Sequence, residues 1–193
     1  MKKILFVFFC IIITHHTFAQ NLHRDTTITV KEGIIKYSKA WSGGINNAQF
    51  SEIDLNLDGE KDLVIFDRTG NKLTPFIYNN GEYIFAPIYR NFFPKLHDWV
   101  ILADYNCDGK NDIYTYSTGG FAIYKNTSQN NLSFALENSL VLSDYGVNNL
   151  NIYISAVDIP AVVDVDYDGD LDILTFAILG GFVEYHRNMA VEL

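Results

Sequence analysis

Oxygen-bearing side chains recur in this chain at a spacing suited to holding a hard cation. Three nine-residue segments share the pattern D-x-[DN]-x-D-G-x-x-D: Asp54-Leu-Asn-Leu-Asp-Gly-Glu-Lys-Asp62, Asp104-Tyr-Asn-Cys-Asp-Gly-Lys-Asn-Asp112 and Asp164-Val-Asp-Tyr-Asp-Gly-Asp-Leu-Asp172. Positions 1, 3, 5 and 9 carry carboxylates or an amide, and glycine stands at position 6. Ca²⁺ takes about six to eight oxygen ligands from loops of this kind, with a glycine permitting the sharp bend. Five fixed positions matched three times exceed what average composition produces in a chain of 193 residues. An EF-hand is a different arrangement, requiring a bidentate Glu at loop position 12 and helices on both sides. Position 12 here is Ile65, Thr115 or Thr175. Asp, Asn and Gly also favour turns that bind nothing, but such turns do not require four oxygens in fixed register.

The charge distribution points the same way. The chain has 14 basic and 23 acidic residues, and 12 of the acids fall in the 27 positions of the three segments. Carboxylates packed this tightly repel one another unless a cation lies among them. The acidic balance also argues against a nucleic-acid partner, which selects a basic footprint.

At the N-terminus, Lys2 and Lys3 precede an apolar run from Ile4 to Ile13, and Thr17-Phe-Ala19 supplies small residues before Gln20. This is the layout of a secretory signal peptide over residues 1–19. The run is too short for the roughly 20 residues a membrane-spanning helix needs, so the chain is expected to be exported and not an integral membrane protein. Its mature part, residues 20–193, has 12 basic and 23 acidic residues, a net charge of −11. Cys107 is then its single cysteine, which excludes an internal disulfide.

The elements that must position the acidic segments recur with them. The segments begin at 54, 104 and 164, spacings of 50 and 60 residues. A β-rich run precedes each one: Ala48 to Ile53, Trp99 to Ala103, and Ile159 to Val163. Each is followed by an apolar strand, a Gly-containing turn and a second strand, ending near Asn79, Asn126 and Tyr185. A fourth strand is expected at Tyr83 to Tyr89 and at Leu132 to Leu142, and no fourth strand follows the third segment before Asn188. Units of roughly 40–50 residues with about four short strands match one propeller blade. The fold class is therefore all-β, with about three blades of four antiparallel strands over residues 46–95, 96–145 and 155–193. Three blades do not close a ring, so further blades from a longer chain or from other subunits are expected.

The loop phrase, its flanking strands and the aromatic-Asn endings resemble the FG-GAP/VCBS-type repeats, calcium-binding propeller blades of integrin-alpha type in exported bacterial proteins. The resemblance spans about 48 to 188; the family's Phe-Gly and Gly-Ala-Pro signatures are not cleanly present. It implies about three Ca²⁺ ions of structural role, one per loop. It also implies the ligand sets: side chains of Asp54, Asn56, Asp58 and Asp62 with the carbonyl of Glu60; of Asp104, Asn106, Asp108 and Asp112 with the carbonyl of Lys110; and of Asp164, Asp166, Asp168 and Asp172 with the carbonyl of Asp170. Leu57, Cys107 and Tyr167 then point away from the ion. The third loop, richest in carboxylates, is expected to bind tightest, and the second, carrying Lys110, weakest. The implied function is binding or adhesion to an extracellular protein or glycan. The alternative is a propeller-type polysaccharide hydrolase or lyase.

Other chemistry is thin. The histidines form no metal-spaced cluster, and no G-x-S-x-G, H-E-x-x-H or P-loop is present. His97 next to Asp98 would make an acid/base pair only if both side chains turned to one side, and strand neighbours point to opposite faces. Trp41, Trp99 and the tyrosines are read mainly as packing between blades rather than as a sugar-binding rim. Asn126-Thr-Ser128 and Asn131-Leu-Ser133 match the glycosylation sequon.

Overall fold

A computed structural model describes residue 25 and residues 27–190. The proposed signal peptide lies outside these residues. The described residues are all-β, with two 3-10 turns at Ala40–Ser42 and Pro87–Phe92. Strands β1 (Lys31–Glu32) and β2 (Ile35–Lys36) form a small exposed hairpin.

Two four-stranded sheets and one three-stranded sheet follow, each an antiparallel meander in which sequential strands are neighbours. The first comprises β3 (Ala48–Ile53), β4 (Asp62–Asp67), β5 (Lys72–Asn79) and β6 (Glu82–Phe85). The second comprises β7 (Val100–Ala103), β8 (Asp112–Ser117), β9 (Gly120–Asn126) and β10 (Phe134–Asn138). A hairpin of β11 (Leu142–Asp144) and β12 (Asn149–Asn151) fills the longer second interval. The third sheet comprises β13 (Ala161–Val163), β14 (Asp172–Phe176) and β15 (Val183–His186).

Turn chemistry explains several connections. Asn80 and Gly81 both have positive φ, the requirement of a two-residue turn whose twist suits a hairpin. The expected fourth strand of the first unit is shorter than the run Tyr83 to Tyr89 suggests. Pro87 opens a 3-10 turn there, where its missing N–H costs nothing. The run Leu132 to Leu142 likewise divides: β10 ends at Asn138 after a bulge, and Leu142 starts the separate β11–β12 hairpin.

Two apolar clusters lie between neighbouring sheets. One joins Ile53, Val64 and Phe66 of the first unit to Val100 and Ile113 of the second. The other joins Trp99, Tyr114, Phe121 and Ile123 of the second unit to Ile173 of the third, with Ile152 and Ile154 from the intervening segment. Because residues alternate between faces of a strand, Ile113 faces the first sheet and Tyr114 the third. Arg68 ties the three units at the opposite strand ends from the acidic loops. Its guanidinium donates to the carbonyls of Asp98 (2.7 Å), Ala156 (3.0 Å) and Val157 (2.9 Å).

Candidate metal centres

Each acidic segment connects the first two strands of its sheet in the same register. Ile53 pairs with Asp62, Ala103 with Asp112 and Val163 with Asp172. The closing aspartate thus opens β4, β8 or β14, and it is fully buried in all three.

That aspartate accepts backbone hydrogen bonds from two directions. One oxygen accepts from the N–H at position 2: Leu55 (2.8 Å), Tyr105 (2.7 Å) and Val165 (3.0 Å). The other accepts from the end of the next strand, on or just past it: Tyr78 (2.7 Å), Asn126 (2.6 Å) and Asn188 (2.8 Å). A buried carboxylate is tolerated when such bonds satisfy it. Burial still holds Asp62 and Asp112 above the usual carboxylate range, and the negative charges at positions 1 and 5 add to this. A cation in the loop would oppose both by favouring the charged carboxylate.

The aspartate at position 1 organises the bend. Its second oxygen accepts from the glycine N–H at 2.9, 2.8 and 3.1 Å in the three loops. The position-5 aspartate accepts from the N–H at position 7 at 2.8, 3.0 and 3.1 Å. The glycine is only half of the turn. Leu57, Cys107 and Tyr167 at position 4 also have positive φ, near 60°. This conformation is unusual for a non-glycine residue, and no composition rule marks these three as sites for it. It recurs because the position-1 carboxylate holds the loop closed. Tyr167 points to solvent at 90% exposure. Cys107 donates its Sγ–H to the carbonyl of Gly169 at 3.5 Å, so the second and third loops touch. Asn111 donates to the carbonyl of Glu52 at 2.7 Å, so the second loop also meets the end of β3.

The donor sets differ between loops. In the first, Asn56 Nδ2 donates to Asp58 Oδ2 at 2.7 Å; in the second, Asn106 does so to Asp108 at 3.2 Å. These amides quench part of the negative charge locally. Position 3 of the third loop is a carboxylate instead, and oxygens of Asp164, Asp166 and Asp172 lie within 4.8 Å of one another. Oxygens on opposite sides of a Ca²⁺ ion lie about 5 Å apart, given ligand distances near 2.3–2.6 Å. The convergence therefore fits a calcium-sized ion, and the donors are all hard oxygens.

Basic side chains are placed differently from the sequence expectation. Lys110 turns out of the second loop and donates to the carbonyl of Ser128 at 2.8 Å. Glu60 is exposed, and Lys61 pairs with Glu52 at 3.7 Å. The third loop instead meets a cation from outside the motif. Arg187 Nε lies 2.5 Å from Asp166 Oδ2, and its Nη2 lies 3.6 Å from Asp168 Oδ2. Tyr185 donates its hydroxyl to Asp172 at 3.1 Å and Asp166 at 3.4 Å. Lost hydration, that hydrogen bond and the nearby carboxylates push its phenol up to about 12. Asp170 is buried, and its side chain accepts from the N–H of Ala190 at 3.1 Å. Arg187 and Tyr185 escaped the sequence reading because they follow the motif by a whole strand. Only hairpin pairing returns them to it.

His97 and Asp98 correct another expectation. The strand starts at Val100, and Asp98 has a φ of +65°, so its carboxylate turns back to within 2.5 Å of His97 Nδ1. Trp99 is fully buried between the second and third sheets, as packing. The sequon residue Asn126 is buried, with its amide donating to the carbonyl of Asn111 at 3.1 Å. Among the described residues no helix is long and apolar enough to cross a membrane. No protein-family model matches the chain, and comparison with curated proteins and with solved structures finds no match.

Proposed function

We propose that the chain is an exported binding or adhesion module of propeller-blade type, with one structural Ca²⁺ in each acidic loop. Three loops of the same D-x-[DN]-x-D-G-x-x-D pattern share one register, the same bonds from the glycine N–H to position 1 and from the position-7 N–H to position 5, and a doubly hydrogen-bonded position-9 carboxylate, and this observation carries the reading. Positions 1, 3, 5 and 9 hold the ion, helped by the carbonyls of Glu60, Lys110 and Asp170. The bound ion supplies positive charge that offsets carboxylate repulsion. The buried position-9 aspartate joins loop and sheet, so occupancy of the loop stabilises the whole meander.

The up-and-down sheets stacked face to face are blades of an open array, and the residue 1–19 leader directs export. The ligand is an extracellular protein or glycan. Since ligand bound only to the folded state stabilises it by RT ln(1 + [L]/Kd) per site, chelation lowers the melting temperature of the mature chain, millimolar Ca²⁺ restores it, and Mg²⁺ restores it poorly. A melting curve unmoved by excess chelator overturns the metal reading.

A further inference from the structure

We propose that the outward face of the third sheet docks onto the same face of a second copy, so that two chains stack sheet on sheet about a twofold axis. This inference stands apart from the metal reading of the loops.

Register identifies the face. Asp62, Asp112 and Asp172 open equivalent strands, so Phe176 occupies the position of Phe66 and Tyr116, and Leu174 that of Val64 and Tyr114. Across the next pairing, Val183 stands where Leu73 and Phe121 stand. Val163 on β13 takes the place of Ile53 and Ala103. In the first two sheets these positions carry the following sheet: Phe66 and Phe121 are 2% and 1% exposed. In the third sheet they remain apolar, yet Phe176 and Val183 are exposed, as are Val163 and Tyr185. Leu174, Phe176, Val183 and Tyr185 bring no charged side chain to this stretch, so it offers no ion pair to a charged peptide or an acidic glycan. Twice in this molecule the same positions hold a sheet, which makes a sheet the fitting occupant here.

The second copy does not offer its first sheet. On that sheet's outward face Ile65, Thr74 and Phe76 are already buried. Glu52 also places a carboxylate there, where the other sheets carry Leu102 and Val162. The second sheet is covered on both faces. Among the three meander sheets of the described residues, the third alone presents an uncovered apolar face, so the contact is self-complementary, the commonest form of dimer. Charge sets its orientation. Five aspartates of the third loop lie at one end of the face. Stacking with strands in the same direction would bring two such loops together, and stacking in opposite directions keeps them apart. Stacked sheets keep their strand axes within about 30°, so Phe176, at the turn end, meets the partner's Val163, at the loop end. Phe176, Val183, Tyr185 and Val163, each about half exposed, leave roughly 350 Å² of apolar surface per copy. A standard stable interface takes about 800 Å² from each partner. Association is therefore weak, with a dissociation constant on the order of 100 μM, and the dilute chain keeps this face bare.

Sedimentation equilibrium on the mature chain in buffer containing Ca²⁺ tests this between roughly 1 μM and 1 mM. The expected result is one monomer–dimer equilibrium with no larger species. Phe176→Asp is expected to weaken dimerisation at least about tenfold, as loss of an aromatic anchor does. It leaves the melting temperature of the dilute chain within about 2 °C, because the face is bare there, and this shows that the variant folds. Phe50→Asp replaces a phenylalanine on the outward face of the first sheet that is no less exposed, and it leaves dimerisation unchanged. With Cys107 replaced by Ser, Val163→Cys and Phe176→Cys together cross-link two copies under mild oxidation, and Phe176→Cys alone does not. A chain that stays monomeric to about 1 mM, or that grows beyond the dimer, overturns the proposal. So does a Phe50→Asp effect equal to that of Phe176→Asp, or efficient cross-linking through Phe176→Cys alone.

Discussion

The second and third sheets contain the same strand, acidic loop and strand, but their surroundings differ. The second is covered on both faces. Ile113 packs toward the first sheet and Tyr114 toward the third, and both are buried almost completely. The third sheet buries Ile173 against the second but turns Phe176 and Val183 to solvent, at 50% and 57% exposure. Among the described residues it also has three strands rather than four. Local sequence therefore sets up the loop in each case, while neighbouring sheets determine how firmly it is held. Stability within one protein follows buried contacts and is not uniform.

Core truncation should separate the two sheets most clearly. Ile113→Ala removes a fully buried side chain at the junction of the first two sheets and is expected to cost about 4 kcal/mol. Phe176→Ala, on the bare face, should change stability by no more than about 0.5 kcal/mol. Denaturant unfolding of both variants checks the contrast, and equal losses would mean that the third sheet's outer face is covered in solution.

The buried aspartates offer a smaller difference. Asp112→Ala leaves the N–H groups of Tyr105 and Asn126 without their acceptor and should cost about 3 kcal/mol globally. Asp172→Ala removes the matching bonds to Val165 and Asn188. Its effect should be confined to faster hydrogen exchange in β13–β15, because the third sheet can open without the other two. Protection lost across all three sheets in Asp172→Ala would show that they unfold as one unit.

The smallest effect concerns pH. His186 on β15 is buried, and burial holds its imidazole below the ordinary histidine range despite Glu184 at 3.5 Å. Ser143 hydrogen-bonds its Nδ1 at 3.1 Å, and the Tyr145 ring meets its edge. The unfolded chain takes up this proton near pH 6.5, before the folded chain does. The contribution to stability is thus complete above that pH and is lost as pH falls through the depressed folded value. The unfolding midpoint of the wild type should drop between pH 7.5 and 5.5 more than that of His186→Gln. Identical pH profiles would place His186 outside the cooperative unit.

The strand Ala48–Ile53 and the positions of all three loops were legible in the sequence, because alternation, turn residues and fixed oxygen spacing are local properties. The extent of the fourth strands was not, because Pro87 and the bulge after Leu136 act through pairing partners. The His97–Asp98 contact was hidden for a related reason: the backbone reversal at Asp98 depends on where the following strand begins. Position 4 of the loops was hidden too, since Leu, Cys and Tyr carry no signal for left-handed backbone.

By itself, the sequence determined an all-β chain with three repeated oxygen-rich loops between strands. Residue type and spacing suffice for that, since each loop lies within nine consecutive residues. Only the tertiary structure decided that the closing aspartates are buried and bonded across their sheets. It also decided that Lys110 leaves its loop while Arg187 reaches the third, and that a cavity opens beside Arg187. These relations join residues from 14 positions apart (Asp112 and Asn126) to 82 (Tyr105 and Arg187, both lining that cavity), and strand pairing and sheet packing alone bring such residues together.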